Sequence, residues 1–352
     1  MKANHVSLLL LPLFLMSAVT AQAAGNIKEQ PDPQMQEVLD ELASLQGKPI
    51  ETLSAKEARK QPTPADAVNK LLKKKQGKLL PIKPEEVADV DNKTIDGPGG
   101  KIPIRIYTPA GKGPFPVIVY YHGGGWVIAD LDTYDATPRA LANSVGAIVV
   151  SSHYRQAPEH KFPAAHEDTF AAYVWTLKHA SEFNGDPKRI AVVGESAGGN
   201  MAAAVSVQAR NKGLQMPLHQ VLIYPVTQYN FDAPSYKENA NAKPLNLPMM
   251  KWFFAQYLNS PPDGQNNLIS LVNETNLKGL PPTTIITAQI DPLRSDGRAY
   301  ADKLEKAGVK VTYRNFEGVT HEFFGMGAVV DTAKQAQRFA SENLTLALKD
   351  VH

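Results

Sequence analysis

The 352-residue chain contains no cysteine. That excludes a thiol nucleophile, a thiolate metal site, disulfides and a lipidated N-terminal cysteine. Stability must therefore come from a buried core, which a chain of this length can supply. Charge of either sign is scarce in excess: 37 Lys and Arg against 35 Asp and Glu leave a net +2, which gives no reason to expect a nucleic-acid or strongly acidic partner. The densest basic run, Lys73-Lys74-Lys75 with Lys70 and Lys78 nearby, reads as a solvated helix face. Nine histidines are present, but none falls into a His-x-x-x-His or His-Glu-x-x-His pattern, so no metal site is expected.

Long hydrophobic runs are also missing. The apolar stretch from Val6 to Val19 is too short to span a bilayer as a helix. It follows Lys2 and precedes Ala21-Gln22-Ala23, the arrangement of a charged n-region, an h-region and a small-x-small cleavage site. Residues 1–23 are accordingly expected to be a signal peptide cleaved after Ala23. The protein would then be exported to the periplasm or the medium, with no stable membrane insertion after cleavage.

What is present reads as an α/β chain. Met35, Val38, Leu39, Leu42 and Leu45 recur at helical spacing. Ser54-Ala-Lys-Glu57 is a capping box opening a second helix, and Pro62 and Pro64 separate it from a third. Lys101 to Tyr107 alternates apolar and polar residues after a Gly97-Pro-Gly-Gly100 hairpin turn. Short runs apolar on both faces follow at 116–121, 147–150, 190–193, 221–224 and 283–287. Helical stretches separate most of them, as in a buried parallel sheet. A last strand is expected from Val309 to Phe316, before a helix from Asp331 to Leu348. Between Thr227 and about Asn267, Met249, Met250, Trp252, Phe253, Phe254 and Tyr257 interrupt the alternation and suggest an inserted helical cap. The expected division is thus 24–85 as an N-terminal helical cap portion, 86–226 with 268–352 as the core, and 227–267 as the inserted cap portion.

Chemistry concentrates in four places. Gly194-Glu195-Ser196-Ala197-Gly198 lies between a β-branched run and an alanine-rich helix. Small residues there permit a strained strand-to-helix turn that exposes the Ser196 hydroxyl as a nucleophile. His122-Gly123-Gly124-Gly125-Trp126 offers backbone N–H groups to an oxyanion, with Gly124 and Gly125 the favoured donors and Ala197 N–H completing the hole. A phosphate loop would instead want Lys-Ser/Thr after the glycines. A serine needs a base and an orienting acid. Asp291 follows the 283–290 strand and His321 follows the last one; Asp296 is a weaker rival for the acid, and His122 reads as a scaffold for the glycine loop.

Taken together, His122-Gly-Gly-Gly-Trp126, Tyr154-Arg155-Gln-Ala157-Pro158-Glu159, Gly194-Glu-Ser196-Ala-Gly-Gly199-Asn200, Asp291-Pro-Leu293-Arg294 and His321-Glu-Phe-Phe resemble the hormone-sensitive-lipase-like group of α/β-hydrolase esterases. The match runs from about residue 30 to the end, in order. The resemblance implies an α/β-hydrolase fold: a mostly parallel eight-stranded sheet flanked by helices, with a helical cap. It also implies a serine carboxylic ester hydrolase acting on small-molecule short- to medium-chain acyl esters, with Ser196, Asp291 and His321 catalytic and no cofactor. Departures are Gln156 where leucine is usual, Gln289 where glutamate is frequent, and Glu322 where glycine follows the histidine. That last change sets a carboxylate beside His321. A receptor on the same scaffold and a peptidase remain as rival readings, and a homodimer is one of the assemblies the sequence leaves open.

Overall fold

Eight strands form one sheet among the residues described by the computed structural model, which are Met1, 30–76 and 84–349. They are β1 (Asp89–Gly97), β2 (Gly100–Thr108), β3 (Phe115–Tyr121), β4 (Ile148–Ser152), β5 (Gly185–Glu195), β6 (Gln220–Ile223), β7 (Thr283–Ile290) and β8 (Val311–Thr320). Their order is β1-β2-β4-β3-β5-β6-β7-β8. The hairpin strands β1 and β2 run antiparallel to their neighbours, and β3 to β8 are mutually parallel. The sheet is therefore mixed, with its parallel part carrying the short apolar runs. The expected signal peptide lies outside the described residues but for Met1, and among the described residues no helix is long and apolar enough to cross a membrane.

Strand alternation builds two cores from one sheet. Successive side chains of a strand point to opposite faces. Ile118, Tyr120, Val149, Ala191 and Val193 face one cluster, while Val117, Val119, Ile148, Val150, Ile190 and Val192 face the other. The first is covered by α1 (Pro33–Ser44), α3 (Pro64–Gln76), α4 (Ala136–Val145) and α10 (Asp331–Ala347). The second is covered by α5 (Ala164–His179), α6 (Ala197–Asn211) and α9 (Arg294–Lys306). The short α2 (Ala55–Ala58) opens on the expected capping box, with Ser54 and Glu57 bonded reciprocally.

A third cluster sits above the sheet. It joins α8 (Leu247–Tyr257) through Met250, Phe253 and Phe254, α7 (Pro234–Glu238) through Tyr236, and Trp126 beside the glycine loop. Only part of the N-terminal segment shares it. Ile50, Ala55 and Ala58 pack there, and Leu53 O accepts from Trp252 Nε1 at 3.2 Å. Helices α1 and α3 instead pack with Phe316 and Phe323 under the sheet.

Two local readings change. The face of α3 is not wholly solvated, because Lys70 and Lys74 both pair with Glu41 of α1, whose side chain is buried. Their ammonium groups, with Ser44, draw the Glu41 carboxyl down to about 2. The last strand also continues past Phe316 to Thr320 by way of an irregularity in its pairing with β7. Gln289 Oε1 accepts from Gly318 N–H at 2.7 Å inside that irregularity.

Candidate active site

Strand ends place every group of interest. Ser196 stands between the last residue of β5 and the first of α6, with φ +56° and ψ −117°. That is strained for a residue with a side chain, and surrounding bonds hold it. Ser196 N–H donates to Ile223 O at 2.9 Å, and Ser196 O accepts from Val226 N–H and Asn200 N–H. Gly198 is pressed on the end of β3, where a Cβ would stand 2.0 Å from Tyr121 O.

The register of β7 and β8 brings the next two residues together. Ile290 pairs with Thr320, so Asp291 and His321 leave adjacent strands at the same level. With the ring neutral, His321 Nδ1–H donates to Asp291 Oδ2 at 2.7 Å, leaving Nε2 to accept from the Ser196 hydroxyl at 2.9 Å. The second Asp291 oxygen accepts from Leu293 N–H at 2.8 Å, which fixes the carboxylate. Burial opposes charging of His321, yet the carboxylates of Asp291, Glu322 and Glu195 outweigh it and raise its pKa above the usual value. Such a chain can draw a proton from Oγ to Nε2 and return it to a leaving group.

Asp296 lies in the first turn of α9 and does not join this chain. Its carboxylate accepts from Thr227 N–H and Gln228 Nε2 instead, both at 3.1 Å. Desolvation pushes it up to about 8 despite those bonds.

In the glycine loop, Gly124 and Gly125 have φ of +92° and +59°, values that glycine alone adopts without strain. Side chains would also collide: a Cβ at Gly125 would lie 2.2 Å from the Phe253 ring, and one at Gly123 would lie 2.2 Å from Tyr134 Oη. Among the described residues no acceptor takes the N–H of Gly124 or Gly125. Ala197, as the first residue of α6, likewise has an N–H free of the helix ladder. His122 braces this loop. Its ring is fully buried, lies 4.5 Å from the Tyr154 ring, and places Nδ1 2.8 Å from Gly123 O. Desolvation, with His153 adding to it, drives its pKa down to about 3, so it stays neutral. Gln156, one of the departures, donates to Ile128 O and Ala129 O and ties down the far end of the loop.

Sequence reasoning missed the hydroxyls around the two glutamates. Tyr120 donates to Glu195 Oε1 at 2.6 Å and Tyr224 to Oε2. The Tyr224 ring lies 4.5 Å from that of His321. Burial pushes Glu195 up to about 7, and the neighbouring Glu322 adds to this. Tyr134 donates to both oxygens of Glu322, at 2.6 and 2.8 Å. Arg59 of the N-terminal segment donates to Val127 O and Ala157 O and pairs with Glu159, fastening that segment to the loop. None of the tyrosines carries a motif, so only the fold reveals them.

Known proteins resemble this chain in both sequence and fold. Residues 118–325 match the family described as the alpha/beta hydrolase fold. The chain is 42% identical to the carboxylesterase NlhH of Mycobacterium tuberculosis over 239 residues, covering 67% of this chain and 75% of that one. It is 34% identical to the ethyl acetate hydrolase of Pseudomonas putida over 291 residues, or 82% and 88% of the two chains. The structure of a hyperthermophilic esterase from the archaeon Pyrobaculum calidifontis superposes with a TM-score of 0.81 at 34% identity, covering 91% of this chain and 100% of that one. On motif order, fold and relatives alike, the chain belongs to the α/β-hydrolase fold family, among its hormone-sensitive-lipase-like carboxylesterases.

Proposed function

We propose that the protein hydrolyses short- to medium-chain acyl esters with Ser196 as nucleophile, His321 as general base and acid, and Asp291 as the orienting acid. One observation carries this reading: the unbroken chain from Ser196 Oγ to His321 Nε2 at 2.9 Å and from Nδ1 to Asp291 Oδ2 at 2.7 Å. Oγ attacks the acyl carbon while its proton passes to Nε2. The tetrahedral oxyanion is held by N–H groups of the Gly123-Gly124-Gly125 loop and Ala197, with Gly124 and Gly125 as the principal donors. Collapse of the intermediate expels the alcohol, which takes the proton from Nε2. Water then repeats the sequence on the acyl-enzyme and frees the acid.

The short-acyl preference draws support from the ethyl acetate hydrolase among the relatives and from the tight roof, since Ser196 keeps 6% of its surface exposed. In the proposed division, 86–226 and 268–352 form the catalytic core. Residues 227–267 cap it together with the 24–85 segment, chiefly through residues 50–58. The signal-like N-terminus supports export to the periplasm or the medium.

Ser196→Ala should abolish hydrolysis of p-nitrophenyl butyrate in folded protein, and the wild type should be labelled by a fluorophosphonate. Turnover retained in the variant, or an unlabelled wild type, would refute the assignment. A series of p-nitrophenyl esters of increasing acyl length should give a kcat/KM maximum at short to medium chains.

A further inference from the structure

Glu322 occupies a position that the backbone reserves for glycine, with φ +70° and ψ 0°. A residue with a side chain in that region is strained, and here something fixes it: the Tyr134 hydroxyl donates to both carboxylate oxygens. Tyr134 stands against Gly123 of the glycine loop, so the pair bridges the loop and His321. The result is Oε1 3.9 Å from His321 Nε2, on the edge of the ring that faces Ser196. The Glu322 side chain keeps 22% of its surface exposed, against 3% for His321. Asp291 already holds Nδ1, and Glu322 therefore gives His321 a second carboxylate on the side where chemistry occurs.

Accepting the Ser196–His321–Asp291 reading above, we propose that Glu322 is a positioning residue. It sustains the imidazolium of His321 from the Nε2 side and favours esters whose departing alcohol carries a positive charge over those carrying none. In acylation the Oγ–carbon bond forms and the Oγ proton moves to Nε2. The carbon–alkoxide bond then breaks, and that proton moves to the alkoxide. The alcohol oxygen must come within hydrogen-bond reach of Nε2 for this transfer, which brings its substituents into the field of Glu322.

Other groups facing the pair come from each neighbouring element. Asp291 follows β7, Glu195 ends β5, Tyr120 belongs to β3, Tyr154 follows β4, Tyr224 follows β6, and His122 lies behind Tyr134 with ring centroids 5.8 Å apart. Among the described residues no Lys or Arg forms an ion pair with Glu195 or Glu322. Burial, with Asp291 adding to it, raises the Glu322 carboxyl above its usual value against the opposing pull of His321 and the Tyr134 hydroxyl; the imidazolium and the carboxylate stabilise each other's charged forms.

The test uses Glu322→Gln and Glu322→Gly, the second restoring the residue that the backbone favours. Two readouts are taken on the purified protein. One is the ratio of kcat/KM for butyrylcholine to that for its uncharged isostere 3,3-dimethylbutyl butyrate. The other is the acidic limb of kcat/KM against pH for p-nitrophenyl butyrate. Both variants should lower the ratio by about fivefold or more and move the acidic limb down by about one pH unit. A merely structural role would change rates without moving either. If the ratio or the limb keeps its wild-type value in both variants while turnover still depends on Ser196, the role of Glu322 is overturned alone. If Ser196→Ala retains turnover, the triad reading falls and takes this proposal with it.

Discussion

Replacing Gly198 with alanine measures how closely the nucleophile turn is seated on the sheet. An added Cβ would lie 2.0 Å from Tyr121 O, 2.6 Å from Tyr121 C and 2.6 Å from His122 O. All three are backbone atoms, two of them in the last residue of a central strand, so no side-chain rotation relieves the overlap. Real Cβ atoms essentially never approach closer than 3.0 Å, so α6 must retreat from β3 by about 1 Å. Ser196 and the Ala197 N–H ride on α6, whereas the glycine loop continues directly from β3. The retreat therefore separates the nucleophile and the Ala197 N–H from the proposed oxyanion donors of the glycine loop. A displacement of that size costs on the order of 10² in rate, and overpacking costs about 1–3 kcal/mol of stability. Gly199→Ala is the matched control: its Cβ would meet Pro225 at 3.0 Å and Gly194 O at 3.1 Å, a fit that needs only tenths of an ångström. Steady-state kcat on p-nitrophenyl butyrate and thermal unfolding should thus show Gly198→Ala folded, a few degrees less stable and at least about 10²-fold slower. Gly199→Ala should lose less than about tenfold. Equal losses in the two variants, or wild-type kcat in Gly198→Ala, would refute the seating argument.

The two candidate acids separate by the same assay. Asp291→Asn should lower kcat by about 10⁴, because the tautomer and charge support of His321 are lost, while Asp296→Asn should leave kcat within about tenfold; the reverse pattern would exchange their roles. Stability should also depend on Asp296 through pH. Its folded carboxyl is pushed up to about 8 by burial, against a usual value of 3.8, so between those values the native state binds more protons than the unfolded chain. The contribution is complete below about pH 4 and is lost as pH rises towards 8. Urea unfolding at pH 5 and pH 8 should show a decline in the wild type that Asp296→Asn reduces; equal slopes would show that Asp296 does not carry it. Glu195, raised to about 7 by burial, contributes in the same direction.

How much of this was legible in the sequence depends on where a residue's role is fixed. Val117 to Tyr121 and Ile190 to Val193 announce buried strands because both faces need apolar side chains. Strand β1 does not: Asp89, Asn92, Lys93 and Thr94 are exposed on the outer hairpin strand, so no apolar alternation marks it. Gly97-Pro-Gly-Gly100 betrays its existence only through the turn. The Ser54–Glu57 capping box is local and readable, whereas the pairing of Glu41 with Lys70 and Lys74 joins two helices and is not. The N-terminal segment shows the same limit. Its helices are periodic, but periodicity cannot say that α1 and α3 pack beneath the sheet while residues 50–58 join α8.

The site divides along the same line. Glycines and the order of Ser196, Asp291 and His321 are visible because each is tied to a strand end or a special backbone conformation. Their meeting rests on register, which no motif encodes. Pairing of Ile290 with Thr320 is reached only after β8 departs from regular pairing beyond Phe316. A strand ending at Phe316, as its apolar pattern suggests, would leave His321 unplaced relative to β7. The polar stretch Glu317-Gly318, anchored by Gln289 Oε1, is thus what carries His321 to the level of Asp291. The same extension sets Glu322 in a left-handed conformation one residue later, turning its carboxylate towards Tyr134 and the Nε2 edge. One irregular strand end therefore governs both the histidine's partnership with Asp291 and the charge placed on its reactive side.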